Sequence, residues 1–171
     1  MIISLVGYMG CGKSHISKIL SEKINFKLID LDKEISRRNK LTIPEIFEKK
    51  GEIYFRKLER ETLEEILATE ENLILSLGGG TPVYYNNMEI INNNSKSIFL
   101  RASVGTLAER LSKQKEKRPL IANISDENLP EFIAKHLFER NEFYSKAMIS
   151  VTTDSREPEA IVDEIIEKLY L

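Results

Sequence analysis

The feature that most constrains the fold is the apolar run that opens the chain and breaks into glycines. Residues 2–14 read IISLVGYMGCGKS. The pattern G-x-x-x-x-G-K-[ST] is matched by Gly7, Gly12, Lys13 and Ser14. A short buried-strand pattern precedes the glycines, and apolar residues recur at helical spacing over 16–24. The sequence therefore predicts a strand, a phosphate-binding loop and a helix, in that order.

This loop, called here the phosphate loop (residues 7–14), has the chemistry needed to hold a triphosphate tail. Glycines let successive backbone N–H groups point inward, at the positive end of the following helix. Lys13 is expected to reach the β- and γ-phosphates, and Ser14 to bind Mg²⁺. The alternative is a glycine turn without a ligand, and the flanking strand and helix favour the nucleotide site.

Composition limits the classes of partner. The chain has 171 residues with 25 Lys and Arg against 27 Asp and Glu, so its net charge is −2. Such a balance gives no general affinity for nucleic acid or an anionic membrane. Cys11 is the lone cysteine, which excludes an internal disulfide and is typical of a reducing compartment. With no signal-like or membrane-spanning segment apparent, we expect a cytoplasmic location.

Strand-like and helix-like patterns alternate along the chain. Apolar, β-rich stretches lie at residues 2–6, 27–31, 73–77, 98–100 and 149–152. Helical patterns separate them, including one that starts at Thr42 and ends at Gly51, and a terminal one from Glu157. This alternation predicts an α/β fold with a parallel sheet covered on both faces. No repeat or linker divides the chain, so one domain over 1–171 is expected.

Two carboxylates follow the second predicted strand, in the sequence LIDLD. In an extended chain Asp30 and Asp32 point the same way, and at the carboxyl end of a strand they would face one ligand pocket. Read alone, such a pair is more often a polar strand end or a helix cap, because aspartate is a favoured N-cap residue. Next to a phosphate loop, we favour the ligand pocket.

The third predicted strand runs into three glycines, Gly78, Gly79 and Gly80. Consecutive glycines carry an entropic cost, so we expect something to approach the backbone closely there. A flexible turn is the alternative. If this strand lies next to the phosphate loop, as in doubly wound sheets, the glycines border the same crevice as Asp32.

A basic segment at 113–118 is stopped by Pro119 and is typical of a surface loop. Such basic runs usually only contact solvent, but a kinase needs a basic lid, and Arg118 is the best candidate for a phosphate contact.

His136 lies on the apolar side of its helix and is interpreted as a hydrogen-bonded packing residue. With two histidines and no cysteine cluster, the expected metal is Mg²⁺ rather than zinc.

Together these segments resemble the shikimate kinase family. The motifs GYMGCGKS, DLD, GEIYFR, LGGGTP, KRPL and ERNEFY occur in that family's order and approximate spacing, over nearly the whole chain. The resemblance implies a five-stranded parallel sheet similar to that of nucleoside monophosphate kinases, with a substrate-binding region near 32–60 and a lid near 112–125. It also implies transfer of the ATP γ-phosphoryl group to the 3-hydroxyl of shikimate, in aromatic amino-acid biosynthesis.

The resemblance implies a role for each matching residue. The ATP residues would be Gly10, Cys11, Gly12, Lys13, Ser14, His15, Arg118 and Arg156, the last near adenine. The shikimate residues would be Asp32, Arg56, Arg140, Gly78, Gly79, Gly80, Phe47 and Phe55. Asp32 would contact the hydroxyl as candidate base, the two arginines would hold the carboxylate, and the phenylalanines would line the ring. Asp30 would join Ser14 near Mg²⁺. On spacing alone, Arg56 is an ordinary solvated arginine and both phenylalanines are core residues.

The chain departs from the family pattern at two positions. Two other functions also stay open. His15 stands where Thr or Ser is usual, and Glu142 where proline is common. A kinase of this fold with another acceptor, such as gluconate or a nucleoside monophosphate, is one alternative. A nucleotide-binding regulatory module without an acceptor is the other. A monomer is expected, since no broad apolar surface stands out.

Overall fold

The computed structural model describes residues 1–170 as one parallel five-stranded sheet with eight α-helices. The strands are β1 (Ile2–Val6), β2 (Lys27–Asp30), β3 (Leu73–Ser76), β4 (Lys96–Arg101) and β5 (Ile149–Thr152). Their order in the sheet is β2-β3-β1-β4-β5. Every residue of β1 and β3 is buried, and because alternate side chains point to opposite faces, both faces of the sheet centre are covered. The predicted α/β fold is confirmed.

Helices connect each strand to the next, as parallel pairing requires, and the last helix follows β5. They are α1 (Lys13–Ile24), α2 (Leu31–Asn39), α3 (Ile43–Lys50), α4 (Glu52–Leu67), α5 (Asn87–Asn94), α6 (Val104–Ser112), α7 (Leu129–Tyr144) and α8 (Pro158–Leu169). Single 3₁₀ turns lie at Thr81–Val83 and Lys115–Lys117. Of the helices within residues 1–170, none is long and apolar enough to cross a membrane.

The boundary between α3 and α4 follows from its end residues. Thr42 caps α3 by accepting from the Glu45 N–H, and the Glu45 carboxylate accepts from the Thr42 N–H in return. Gly51 ends that helix at φ 86°, a conformation that favours glycine, and α4 starts at the next residue. The predicted start at Thr42 and end at Gly51 are confirmed.

The interpretation of residues 30–32 as extended chain is wrong. β2 ends at Asp30, and Leu31 begins α2 with its side chain buried. Asp30 is the N-cap of α2, and its carboxylate accepts from the Lys33 N–H at 3.1 Å. Burial of Leu31 and capping by Asp30 turn the chain into a helix at this point, so Asp32 lies in the first helical turn rather than on a strand.

The sheet order determines where a ligand can bind. β1 lies between β3 and β4, so the connections from β1 and from its neighbours leave the sheet in different directions. Crevices at the carboxyl ends of strands form at such points. The phosphate loop follows β1, and residues 78–80 follow β3, which is paired with β1. The predicted adjacency of the third strand and the phosphate loop is confirmed.

Candidate active site

A cavity of about 440 Å³ opens at the carboxyl edge of the sheet. All predicted ATP residues line it: Gly10, Cys11, Gly12, Lys13, Ser14, His15, Arg118 and Arg156. Asp30, Asp32, Gly78 and Gly79 line the same cavity. The structure therefore brings together the phosphate loop, both carboxylates and the glycines after β3, although these segments are far apart in sequence.

The phosphate loop adopts backbone angles that only glycine tolerates well. Gly10 and Gly12 have φ of 80° and 103°. A β-carbon on Gly7 would lie 2.7 Å from the carbonyl oxygen of Leu100. Lys13 Nζ donates to the carbonyl oxygens of Gly7 at 2.7 Å and Tyr8 at 3.1 Å. The ammonium group therefore lies inside the loop that it helps to hold in shape.

Asp32 is half-buried at the point where the phosphate loop and the glycines after β3 meet. A β-carbon on Gly78 would lie 3.1 Å from its Oδ1. Burial raises the pKa of Asp32 to about 6, and the negative charges of Glu59 and Asp30 act in the same direction, against Lys13 and Arg56. A carboxyl group with this pKa is ionised at neutral pH and is basic enough to take up a proton nearby.

The glycine turn (residues 78–80) is in close contact with two arginines. A β-carbon on Gly80 would lie 2.8 Å from both terminal guanidinium nitrogens of Arg56. One on Gly79 would lie 3.3 Å from Arg140 Nη1. The predicted close approach to this backbone is confirmed. Arg56, Arg140 and Gly80 are not among the residues that line the cavity, but both arginines lie against the glycine turn, whose Gly78 and Gly79 line it.

Arg56 is held by residues that the sequence analysis did not single out. Its Nη1 donates to Glu59 Oε1 at 2.9 Å, and Glu59, only 1% exposed, also accepts from the Thr81 hydroxyl at 2.9 Å. The ring of Tyr84 lies 3.9 Å from the guanidinium carbon of Arg56. Spacing could have suggested Glu59, because residues three apart on a helix are neighbours. Tyr84 gave no such signal.

Phe47 and Phe55 pack against each other, with ring centroids 4.6 Å apart. Phe55 is 2% exposed and belongs to the core, and neither ring lines the cavity. Both rings lie within 6 Å of the Arg56 guanidinium, at 5.9 and 5.1 Å. The structure therefore brings them to Arg56, where their faces attract the cation, rather than into the cavity.

A third arginine lines the cavity beside Arg118 and Arg156, and the sequence did not predict it. Arg110 lines the cavity, and its guanidinium donates to the carbonyl oxygens of Gly10 and Thr153, both at 3.3 Å. Arg156 donates to the Thr152 carbonyl at 2.9 Å. A lone arginine on a helix gives no sequence signal, and only the packing of α6 beside the phosphate loop reveals Arg110.

The donor set suits a magnesium ion carried by a nucleotide. No group of three or more His, Cys, Asp or Glu side chains among residues 1–170 could hold a metal by itself. Ser14 and Asp30 face the same cavity as Lys13. Mg²⁺ typically binds one or two protein oxygens together with substrate phosphates and water, so these residues fit it.

A phosphate loop after the central strand, a carboxylate beside it and two arginines against the glycine turn define a class of protein. These features are those of a nucleotide-dependent kinase that phosphorylates a small anionic acceptor.

Comparisons with known proteins give the particular family. The family model for shikimate kinase matches residues 9–170. A shikimate kinase from Flavobacterium johnsoniae is 49% identical over 98% of both chains. The crystal structure of shikimate kinase from Bacteroides thetaiotaomicron superposes with a TM-score of 0.93 at 37% identity, covering 100% of this chain and 99% of that one. The structure of shikimate kinase from Acinetobacter baumannii in complex with shikimate gives a TM-score of 0.88 at 29% identity, covering 99% of this chain and 92% of that one. The chain belongs to the shikimate kinase family and is an ATP-dependent kinase.

Proposed function

We propose that the cavity transfers the γ-phosphoryl group of ATP to the 3-hydroxyl of shikimate, giving shikimate 3-phosphate and ADP. The proposal rests on the arrangement of three charged side chains. Arg56 and Arg140 converge on the glycine turn, whose Gly78 lies against Asp32 and whose Gly78 and Gly79 line the same cavity as the phosphate loop. An acceptor with one carboxylate and several hydroxyls needs this combination of cations and a proton acceptor.

The phosphate loop would bind the ATP tail. Lys13 would leave the Gly7 and Tyr8 carbonyls for the β- and γ-phosphates, and backbone N–H groups of residues 10–15 would hold the oxygens. Ser14 and Asp30 would hold Mg²⁺, which when bound would supply positive charge to the phosphates. Arg118, half-buried in the cavity lining, would add charge stabilisation from the lid near 112–125.

The acceptor would lie against the glycine turn, in the region that includes residues 32–60. Arg56 and Arg140 would bind its carboxylate, and the Gly79 N–H would contact it, flanked by Gly78 and Gly80. The Asp32 carboxylate would accept the proton of the attacking hydroxyl. Because phosphoryl transfer has a loose transition state, alignment of that hydroxyl matters more than full deprotonation before attack.

An assay of ADP release with shikimate, quinate, gluconate and nucleoside monophosphates offered in parallel tests the acceptor. Arg56→Ala and Arg140→Ala should each raise the KM for shikimate by about tenfold or more, as expected for a lost charged hydrogen bond, with little effect on ATP. Arg37→Ala, a largely exposed arginine on α2, is the matched control. Turnover with another acceptor, or an unchanged shikimate KM in both variants, would refute the assignment.

The setting of the enzyme is part of the proposal. We propose a cytoplasmic monomer that has neither nucleic acid nor a membrane as partner. The net charge of −2 supports the lack of such partners. A single low-mass species in light scattering coupled to size exclusion is expected, and a stable dimer would contradict the monomer.

A further inference from the structure

Helix α7 carries three polar side chains at intervals of one turn. His136, Arg140 and Tyr144 are spaced by four residues and therefore share one stripe of the helix. Arg140 lies against Gly79 of the glycine turn. The residues one turn before and one turn after it each hydrogen-bond to a different loop of the active site, and neither has a role in the mechanism above.

Tyr144 holds the glycine turn. Its side chain is fully buried, and its hydroxyl donates to the Gly79 carbonyl oxygen at 2.5 Å. Burial raises the pKa of Tyr144 to about 12, so the hydroxyl keeps its proton at any working pH. Its ring packs on Phe99 of β4, with centroids 5.3 Å apart. Both ends of the side chain are thus fixed, and with them the plane of the Gly79 peptide.

His136 holds the phosphate loop. The Tyr8 hydroxyl and Nδ1 of His136 share a hydrogen bond of 2.8 Å, and the two rings meet edge to face. Burial and the nearby Arg140 cation lower the pKa of His136, which favours the neutral ring that can accept this bond. The predicted hydrogen-bonded packing role is confirmed. The backbone carbonyl of Tyr8 is also one of the two that bind Lys13 Nζ.

We propose that His136 and Tyr144 are positioning residues that hold the phosphate loop and the glycine turn in fixed relation to Arg140. The inference rests on the proposed function, since it takes Arg140 and Gly79 as acceptor contacts and Lys13 as a phosphate contact. Neither positioning residue touches a substrate. Their effect is to keep the phosphoryl donor and the acceptor hydroxyl aligned, and small misalignments slow such reactions strongly.

The acceptor end is tested by Tyr144→Phe, which keeps the ring and removes the hydroxyl. Without its partner the Gly79 peptide can rotate, so the KM for shikimate should rise about threefold to tenfold, the range expected for one hydrogen bond. The KM for ATP should stay within twofold of wild type. Tyr170→Phe, at a tyrosine that is 96% exposed, is the control for loss of a hydroxyl. An unchanged shikimate KM in a folded Tyr144→Phe enzyme would refute the positioning role of Tyr144.

The phosphate end is tested by Tyr8→Phe and His136→Leu, which remove the same bond from opposite sides. Each should lower kcat about threefold to tenfold, and the double variant should lose no more than either single one. His136→Asn, which keeps an acceptor close to Nδ1, should recover most of the rate. A lower melting temperature with wild-type kcat at 25 °C would assign these residues a structural role only and overturn the inference.

Failure of the inference can be told apart from failure of the proposed function. If Arg140→Ala leaves the KM for shikimate unchanged, the acceptor assignment itself is wrong. If Arg140→Ala raises that KM while Tyr144→Phe and Tyr8→Phe both have wild-type kinetics, the acceptor site stands and positioning by α7 is refuted. The glycine turn and the phosphate loop are tested with different variants, so if one variant misfolds, the other loop can still be tested.

Discussion

Replacing Asp32 by asparagine is expected to stabilise the free enzyme at pH 8 while removing its activity. The reason is the environment of this carboxylate, which is half-buried and close to the negative charges of Glu59 and Asp30. Together these raise the pKa of Asp32 from 3.8 to about 6. Asparagine keeps the shape of the side chain without the charge, and it cannot accept the proton of the acceptor hydroxyl.

The size of the effect follows from the pKa difference between the folded and unfolded chains. A rise of roughly two pKa units lowers the free energy of unfolding by at most about 3 kcal/mol when the group is ionised, since one unit is about 1.4 kcal/mol. Residual solvent contact screens part of this, so about 1–2 kcal/mol is expected. For a chain of 171 residues that is a rise in Tm of about 2–8 °C.

The sign of the pH dependence is fixed by the direction of the shift. Because the pKa is raised on folding, the folded chain binds the proton more tightly than the unfolded one. The resulting stability of the wild type is fully present below pH 3.8 and is lost as the pH rises through about 6. The advantage of Asp32→Asn should therefore be largest at pH 8 and close to zero at pH 4.

Thermal unfolding of both proteins at pH 4, 5, 6, 7 and 8, with the ADP-release assay in parallel, measures the effect. Asp163→Asn on α8, which removes an exposed carboxylate paired with Lys23, is the control and should change stability by less than about 0.5 kcal/mol. The reasoning is refuted if Asp32→Asn melts at or below the wild-type temperature at pH 8, or if its advantage is the same at every pH.

Four further outcomes are expected. Gly80→Ala puts a β-carbon 2.8 Å from the Arg56 guanidinium and should raise the shikimate KM at least fivefold in steady-state assays. Gly105→Ala in α6, where a β-carbon meets nothing within 4 Å, should leave kinetics unchanged and raise stability by about 0.5–1 kcal/mol. Arg118→Ala should lower kcat about 100-fold or more, as for other arginines on a transferring phosphoryl group, and near-normal turnover would remove Arg118 from the mechanism. Thr42→Ala, which breaks the capping box of α3, should cost about 0.5–2 kcal/mol in urea unfolding, and no change in midpoint would contradict the cap.

Features that depend on neighbouring residues were predicted well from sequence. The bounds of β1 and β5, the helix start at Thr42 and the break at Gly51 match the structure, because each follows from local periodicity or end-residue chemistry. The phosphate loop was likewise predicted from its glycines and their flanking elements. Three glycines in a row correctly indicated close contact, although not with which side chains.

Features that depend on packing between distant segments were missed or misread. The chain turns helical at Leu31 because that side chain is buried, and the LIDLD pattern does not show this. Glu59 gains its role from Thr81, which is 22 residues away, and Arg110 contacts Gly10 across 100 residues. Such partners depend on how helices dock on the sheet, and one sequence does not reveal that.

The enclosure of Arg56 moves much of the entropic cost of carboxylate recognition from the binding step to the folding step. A free arginine side chain carries about 2 kcal/mol of rotamer entropy. Glu59, the ring of Tyr84 and the backbone of Gly80 already restrict Arg56 in the folded chain. An arriving carboxylate therefore meets a rigid partner, which favours tight selection of ligand geometry and leaves little tolerance for acceptors whose acid group is displaced.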